Sequence, residues 1–169
     1  MADFNEKNRE KKVFVSWERL DSLCRKLAGR IQKDNFSPEM IVAVSRGGLV
    51  PAQIISHSIK NSELYVIKAD YYKDDVAKDN MEWNKKPVIT QKLDKCIEGK
   101  RILVVDEVTD SGATAIEVKK YIESLKPKEA KFLMVHWKPW SKFKPDYFAE
   151  QANGWVVYPW ASESIKAQH

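Results

Sequence analysis

Four consecutive apolar strand formers, Ile102-Leu103-Val104-Val105, run directly into two carboxylates, Asp106 and Glu107. The small, hydroxylated stretch Thr109-Asp110-Ser111-Gly112-Ala113-Thr114 follows, and then Ala115, Val118, Ile122 and Leu125 at helical spacing. A continuous apolar run reads as a strand buried on both faces, which demands cover on both sides of a sheet. The switch from strand to helix across a short polar turn marks a βα unit in a largely parallel sheet. In such sheets ligands bind beyond the carboxyl ends of the strands, where this turn emerges.

The rest of the chain fits the same α/β class. Ser16 precedes Trp17, Leu20, Leu23, Leu27 and Ile31, one face of a helix with a serine cap, ended by Asn35 to Pro38. The run 40–44 reads as a buried strand that ends in Ser45-Arg46-Gly47-Gly48, and 49–58 as a helix. Strands are expected at 64–69, 88–93 and 131–137, with Lys126-Pro127 ending the helix before the last. The segment 70–87 is polar, charged and without apolar period, and is expected to be a mobile excursion. Met1 to Lys12 is polar and reads as a frayed lead-in. Trp17, Trp83 and Trp140 are given core roles or none.

A chain of 169 residues with 43% hydrophobic and 31% charged content suits one compact domain over 1–169. Cys24 and Cys96 lack the spacing of a metal or redox motif and are expected to be reduced thiols of a cytoplasmic protein. No stretch approaches the roughly 18 to 20 apolar residues of a membrane span, and no secretory leader is read at the amino terminus. The net charge of +5 suits a polyphosphate ligand as well as nucleic acid, but the lysines are scattered rather than gathered in a basic tract. Neither nucleic acid nor membrane is expected as a partner.

The turn after Val105 carries the chemistry. Backbone N–H groups of Thr109 to Thr114, at a helix entry, can converge on a phosphate, with the hydroxyls of Thr109, Ser111 and Thr114 as further donors. Asp106 and Glu107 would repel a bare phosphate and suit ribose hydroxyls or hydrated magnesium. An anion cradle beside a diol reader matches a ribose 5-phosphate. The glycine spacing and Gly-Lys-Ser/Thr ending of a Walker A loop are absent.

The segment Val104 to Thr114 resembles the signature for phosphoribosyl pyrophosphate (PRPP) in type I phosphoribosyltransferases, most nearly the xanthine-guanine and hypoxanthine enzymes. The resemblance covers roughly residues 40 to 160. It implies a mainly parallel sheet flanked by helices, a flexible catalytic loop at about 70–87 and a small hood subdomain at about 138–169. It assigns Asp106 and Glu107 to the ribose hydroxyls and to Mg2+, residues 109–114 to the 5-phosphate, and Asp110 to the purine N7 as proton acceptor or stabiliser. Ser45-Arg46-Gly47-Gly48 is similar to the pyrophosphate loop: its glycines allow close approach to an anion, and Arg46 can pair with phosphate oxygens. The family pattern implies a cis peptide at Ser45–Arg46. Tyr71, Tyr72, Lys73, Lys85 and Lys86 become candidates for the pyrophosphate end.

Lys138 occupies the place of the lysine that donates to the purine O6. Gly154 to Trp160 resembles the hood, with Trp155 as the ring that stacks on the base and Val156 presenting backbone groups to it. Related hoods carry an aspartate after the Pro-Trp pair; here Ala161 stands there, with Glu163 two residues on. The resemblance implies purine salvage by transfer from PRPP to N9 of guanine, hypoxanthine or xanthine, in a homodimer or homotetramer. The competing readings are an enzyme for adenine or a pyrimidine, a PRPP-sensing regulator of the same fold, and a plain nucleotide-binding module.

Overall fold

The computed structural model describes residues 11–72 and 83–161, with backbone alone at 71–72 and 83–85. Eight strands appear in chain order: β1 (Lys12–Phe14), β2 (Met40–Ser45), β3 (Leu64–Tyr72), β4 (Trp83–Gln91), β5 (Arg101–Thr109), β6 (Glu129–Trp137), β7 (Tyr147–Gln151) and β8 (Trp155–Val157). The helices are α1 (Trp17–Lys33), α2 (Leu49–Ser58) and α3 (Ala113–Ser124), with a 3-10 turn over Pro159–Ala161. Ser16 caps α1 as expected, its side chain accepting the Arg19 N–H at 3.2 Å. Leu20, Leu23, Leu27 and Ile31 line the buried face.

The main sheet has the order β4-β3-β2-β5-β6-β7. All its pairs are parallel except the β3–β4 hairpin. Alternate residues of the central strands feed two separate cores. Ile41, Ala43, Leu103, Val105, Leu133 and Val135 meet α1 and α2 on one face. Val42, Val44, Ile102, Val104, Phe132 and Met134 meet α3 on the other. Two-sided burial is why these strands read as unbroken apolar runs.

Two expectations are corrected. The segment 70–87 is not all excursion: β3 runs on to Tyr72 and β4 begins at Trp83, with Asp70 opposite Val88 and Tyr72 opposite Trp83. Lys73 lies outside the described residues. An edge strand such as β4 has one side in water, so it shows no apolar period although its backbone is paired. Second, the lead-in is tied down at its end. Lys12, Val13 and Phe14 pair in parallel with Trp155, Val156 and Val157, and the Lys11 carbonyl accepts the Trp155 N–H at 2.8 Å. Trp17, given a core role or none, is 54% exposed, its ring 6.1 Å from that of Trp160.

Strands β2 and β5 are neighbours, yet the chain leaves them in opposite lateral directions, to β3 and to β6. Loops that follow such a pair diverge and leave a crevice at the carboxyl ends. The turns after Ser45 and after Thr109 are those loops.

Candidate active site

A cavity of about 410 Å3 fills that crevice, lined by Ser45, Arg46 and Gly47 from one turn and by Asp106 through Thr114 from the other. Strand β5 continues through Asp106 and Glu107 to Thr109, and α3 starts at Ala113. Gly112 caps the helix with φ +85°, and a methyl there would fall 2.7 Å from the Phe143 nitrogen. Glycine is therefore required twice, by conformation and by contact. Thr109 lines the cavity, but its hydroxyl is engaged with that of Ser141. Ser111 is exposed, its hydroxyl accepting the Ala113 N–H at 3.3 Å.

The Ser45–Arg46 peptide is cis, as the family pattern implies. Gly47 lies against the Glu107 carboxylate so closely that a methyl would stand 1.7 Å from Glu107 Cδ and Oε2. The two turns thus touch at a glycine and an acid. The Asp106 carboxyl accepts the Glu107 N–H at 2.9 Å. Removal from water, then the negative charge of Glu107, pushes the Asp106 pKa well above the usual carboxylate range. A hydroxyl donor or a cation beside the pair would restore its charge.

A second cavity, about 460 Å3, shares Arg46, Glu107, Val108 and Asp110 with the first. Its remaining wall is the hood: Lys138, Trp155, Val156, Val157, Tyr158, Trp160 and Ala161. Lys138 is only 4% exposed, and its ammonium donates to the Gly154 carbonyl. Burial lowers its pKa, and the Asp110 carboxylate opposes that shift. Trp155 is half exposed. Its N–H is bonded to Lys11, and the Val157 carbonyl accepts from Val15. In a parallel pair alternate residues face the partner, so Val156 turns its own N–H and C=O away from β1.

The sequence-predicted site residues therefore line two adjoining cavities. The structure adds others. Tyr158, buried at the end of the hood, donates to the Glu107 carbonyl at 2.7 Å, and His136 Nδ1 lies 2.8 Å from the same hydroxyl. With its one proton committed to Glu107, Tyr158 must accept from His136 Nδ1–H. Trp140 Nε1 donates to Asp110 Oδ1 at 3.1 Å. Neither link has a local sequence signal, since each joins residues far apart in the chain. The run Val13-Phe14-Val15 did carry a signal for β1, being apolar within a polar region. Lys86 is exposed on β4.

A model of the phosphoribosyl transferase domain matches residues 16–163. The chain belongs to the phosphoribosyltransferase family. It is 35% identical over 155 residues to a xanthine-guanine phosphoribosyltransferase of Idiomarina loihiensis, covering 90% of this chain and 88% of that protein. A purine phosphoribosyltransferase of Pyrococcus horikoshii has a similar structure, with TM-score 0.77 and 34% identity over 88% of this chain and 93% of the other. A hypoxanthine-guanine phosphoribosyltransferase of Bacillus anthracis gives TM-score 0.66 and 29% identity, covering 81% and 79%. The fold is that of the type I phosphoribosyltransferases. Among the described residues no helix is long and apolar enough to cross a membrane.

The buried histidine of this phosphoribosyltransferase sets an acid limit on stability. Burial, then the charges of Lys138 and Arg19, pull the His136 pKa down to about 4, against 6.5 when unfolded. Above pH 6.5 both states hold it neutral. As the pH falls below that value the unfolded chain gains a proton that the native one refuses, so stability falls by up to about 1.4 kcal/mol per pH unit. The drop in Tm between pH 7 and 5 should be smaller in His136→Gln than in the parent. Asp106, raised in the folded state, acts with the opposite sign but is common to both proteins. Equal drops would show that His136 is not the responsible group.

Proposed function

We propose that this protein transfers the 5-phosphoribosyl group of PRPP to N9 of a 6-oxopurine (guanine, hypoxanthine or xanthine), giving the nucleoside monophosphate and pyrophosphate. The observation that carries this reading is the junction of the two cavities at Arg46, Glu107 and Asp110. A sugar phosphate in one would meet a base in the other at that shared wall. The names borne by the Idiomarina and Pyrococcus relatives support the substrate class.

In this reading the backbone of 109–114, at the start of α3, holds the 5-phosphate. Asp106 and Glu107 accept from the ribose 2- and 3-hydroxyls, and Ser45, Arg46 and Gly47 hold pyrophosphate. Trp155 stacks on the purine, and Val156 meets its edge through the backbone. Lys138 donates to O6. An ammonium can only donate, which favours an oxo group over the amino group of adenine. N9 attacks C1 as the C1–oxygen bond to pyrophosphate breaks, and the N7 proton passes to Asp110. No covalent intermediate is needed; orientation and charge placement supply the rate.

Among the described residues no cluster of three or more candidate ligands exists for a metal. Two adjacent acids suit Mg2+ all the same, because this ion draws most of its oxygens from water and substrate. Asp106 and Glu107 would hold it from the ribose side. Bound there, magnesium supplies neutralising charge for the departing pyrophosphate. The whole chain is expected to act as a single domain in the cytoplasm, in self-associated form.

Incubation with PRPP, magnesium and a panel of bases tests the reading directly. Turnover of 6-oxopurines without adenine is expected; adenine or pyrimidine turnover, or tight binding of PRPP without turnover, would replace it. Within the panel, Lys138→Ala should raise the KM for the base roughly ten- to a hundredfold, the worth of a hydrogen bond from a charged donor. An unchanged base KM would remove Lys138 from the site.

A further inference from the structure

The turn from Lys138 to Phe143 follows the phosphate loop almost residue by residue. The Lys138 N–H donates to the Thr109 carbonyl at 3.2 Å, and the Lys142 N–H to the Ser111 carbonyl at 3.1 Å. The hydroxyls of Ser141 and Thr109 pair, and the Phe143 backbone closes over Gly112. At the centre of this register Trp140 faces Asp110, donating from Nε1 to Oδ1. The same indole lies under the Lys138 ammonium, 5.2 Å from nitrogen to ring centroid.

One half-buried ring therefore touches both charged side chains that face the purine in the reading above, on which this inference rests. We propose that Trp140 is a positioning residue that fixes Asp110 and Lys138 relative to one another, through its N–H for the first and its ring face for the second. Its bond to Oδ1 turns Oδ2 of Asp110 to the base, as proton transfer at a set distance requires. Its ring holds a buried cation that would otherwise have only the Gly154 carbonyl and the Asp110 charge to orient it.

The two functions separate by substitution. Trp140→Phe keeps a ring under Lys138 and removes the N–H. It should lower kcat roughly five- to tenfold, as loss of one hydrogen bond to a charged group does, and leave the KM for base and for PRPP within about twofold. Trp140→Leu should show the same fall in kcat and, in addition, a rise of several fold in the base KM. Combined with Asp110→Asn, Trp140→Phe should cost no further turnover, because the group it positions is already disabled. In Trp140→Phe a merely structural role would lower kcat and raise KM together, and multiply with Asp110→Asn. Unchanged kcat in Trp140→Phe, or multiplicative loss in the double variant, overturns the proposal. If Asp110→Asn alone keeps parental turnover, the catalytic reading of Asp110 fails instead, and the inference falls with it. Melting temperatures are recorded for each variant; should Phe fail to fold, Leu combined with Asp110→Asn decides, where no further loss of turnover supports the proposal and a multiplicative loss overturns it.

Discussion

Gly47→Ala is expected to fold normally and to bind PRPP roughly ten- to a hundredfold more weakly. The added methyl would sit 1.7 Å from Cδ and Oε2 of Glu107, a separation no pair of non-bonded atoms can hold. The obstacle is the far end of a flexible side chain, so the carboxylate moves and the backbone stays. What is lost is the placement of the acid proposed to accept from the ribose. Gly48→Ala is the contrasting control. Its methyl would meet backbone, 2.3 Å from the Val105 carbonyl oxygen and 2.7 Å from that of Val44, inside the two central strands. These atoms cannot step aside, and a loss of stability on the order of 3 kcal/mol is expected, at the upper end of overpacking. Calorimetry of both proteins and titration of Gly47→Ala with PRPP check the pair. Parental PRPP affinity in Gly47→Ala would mean that Glu107 does not touch the sugar.

Asp110→Asn should lower kcat by a factor of roughly 10² to 10⁴, the range of a positioned acid or base, with little change in PRPP affinity. The substitution preserves shape, and an amide oxygen can still accept from Trp140 Nε1. It removes the capacity to take a proton. Asp110 lines both cavities, so a loss confined to turnover separates proton transfer from the holding of phosphate. Single-turnover kinetics beside equilibrium binding make the distinction. Equal losses in binding and turnover would reassign Asp110 to the phosphate loop alone.

How far the sequence disclosed this site follows from which contacts are local. The run 102–105 and the stripe from Ala115 to Ile122 reported their burial directly, because both faces of β5 and one face of α3 are covered. The turns at 45–48 and 106–114 were legible because glycine, acid and hydroxyl residues stand in consecutive positions there. Edge strand β4 was obscured by its polar side chains, which report solvent and say nothing of backbone pairing. Strand β7 went unread for a similar reason: five residues with mixed burial offer little pattern. Trp140 was beyond reach for a different reason. Its partner lies 30 positions away, and nothing in Lys-Pro-Trp-Ser says that an indole N–H will meet a carboxylate. The Tyr158 link to Glu107 spans 51 positions and is equally silent.

The pairing of β1 with β8 brings Lys12 beside Trp155, across nearly the whole polypeptide. Sugar-phosphate and purine halves therefore differ in how they can be assembled. The former is drawn largely from one contiguous βα stretch and its neighbour strand, so its loops close over short tethers. The latter has its proposed stacking segment hydrogen-bonded to Lys11 and Val15, a closure with a much larger entropic cost. Until these two segments have met, the proposed purine side lacks its back wall, and in that reading Lys11 to Val15 serve base recognition even though none of them lines the cavity.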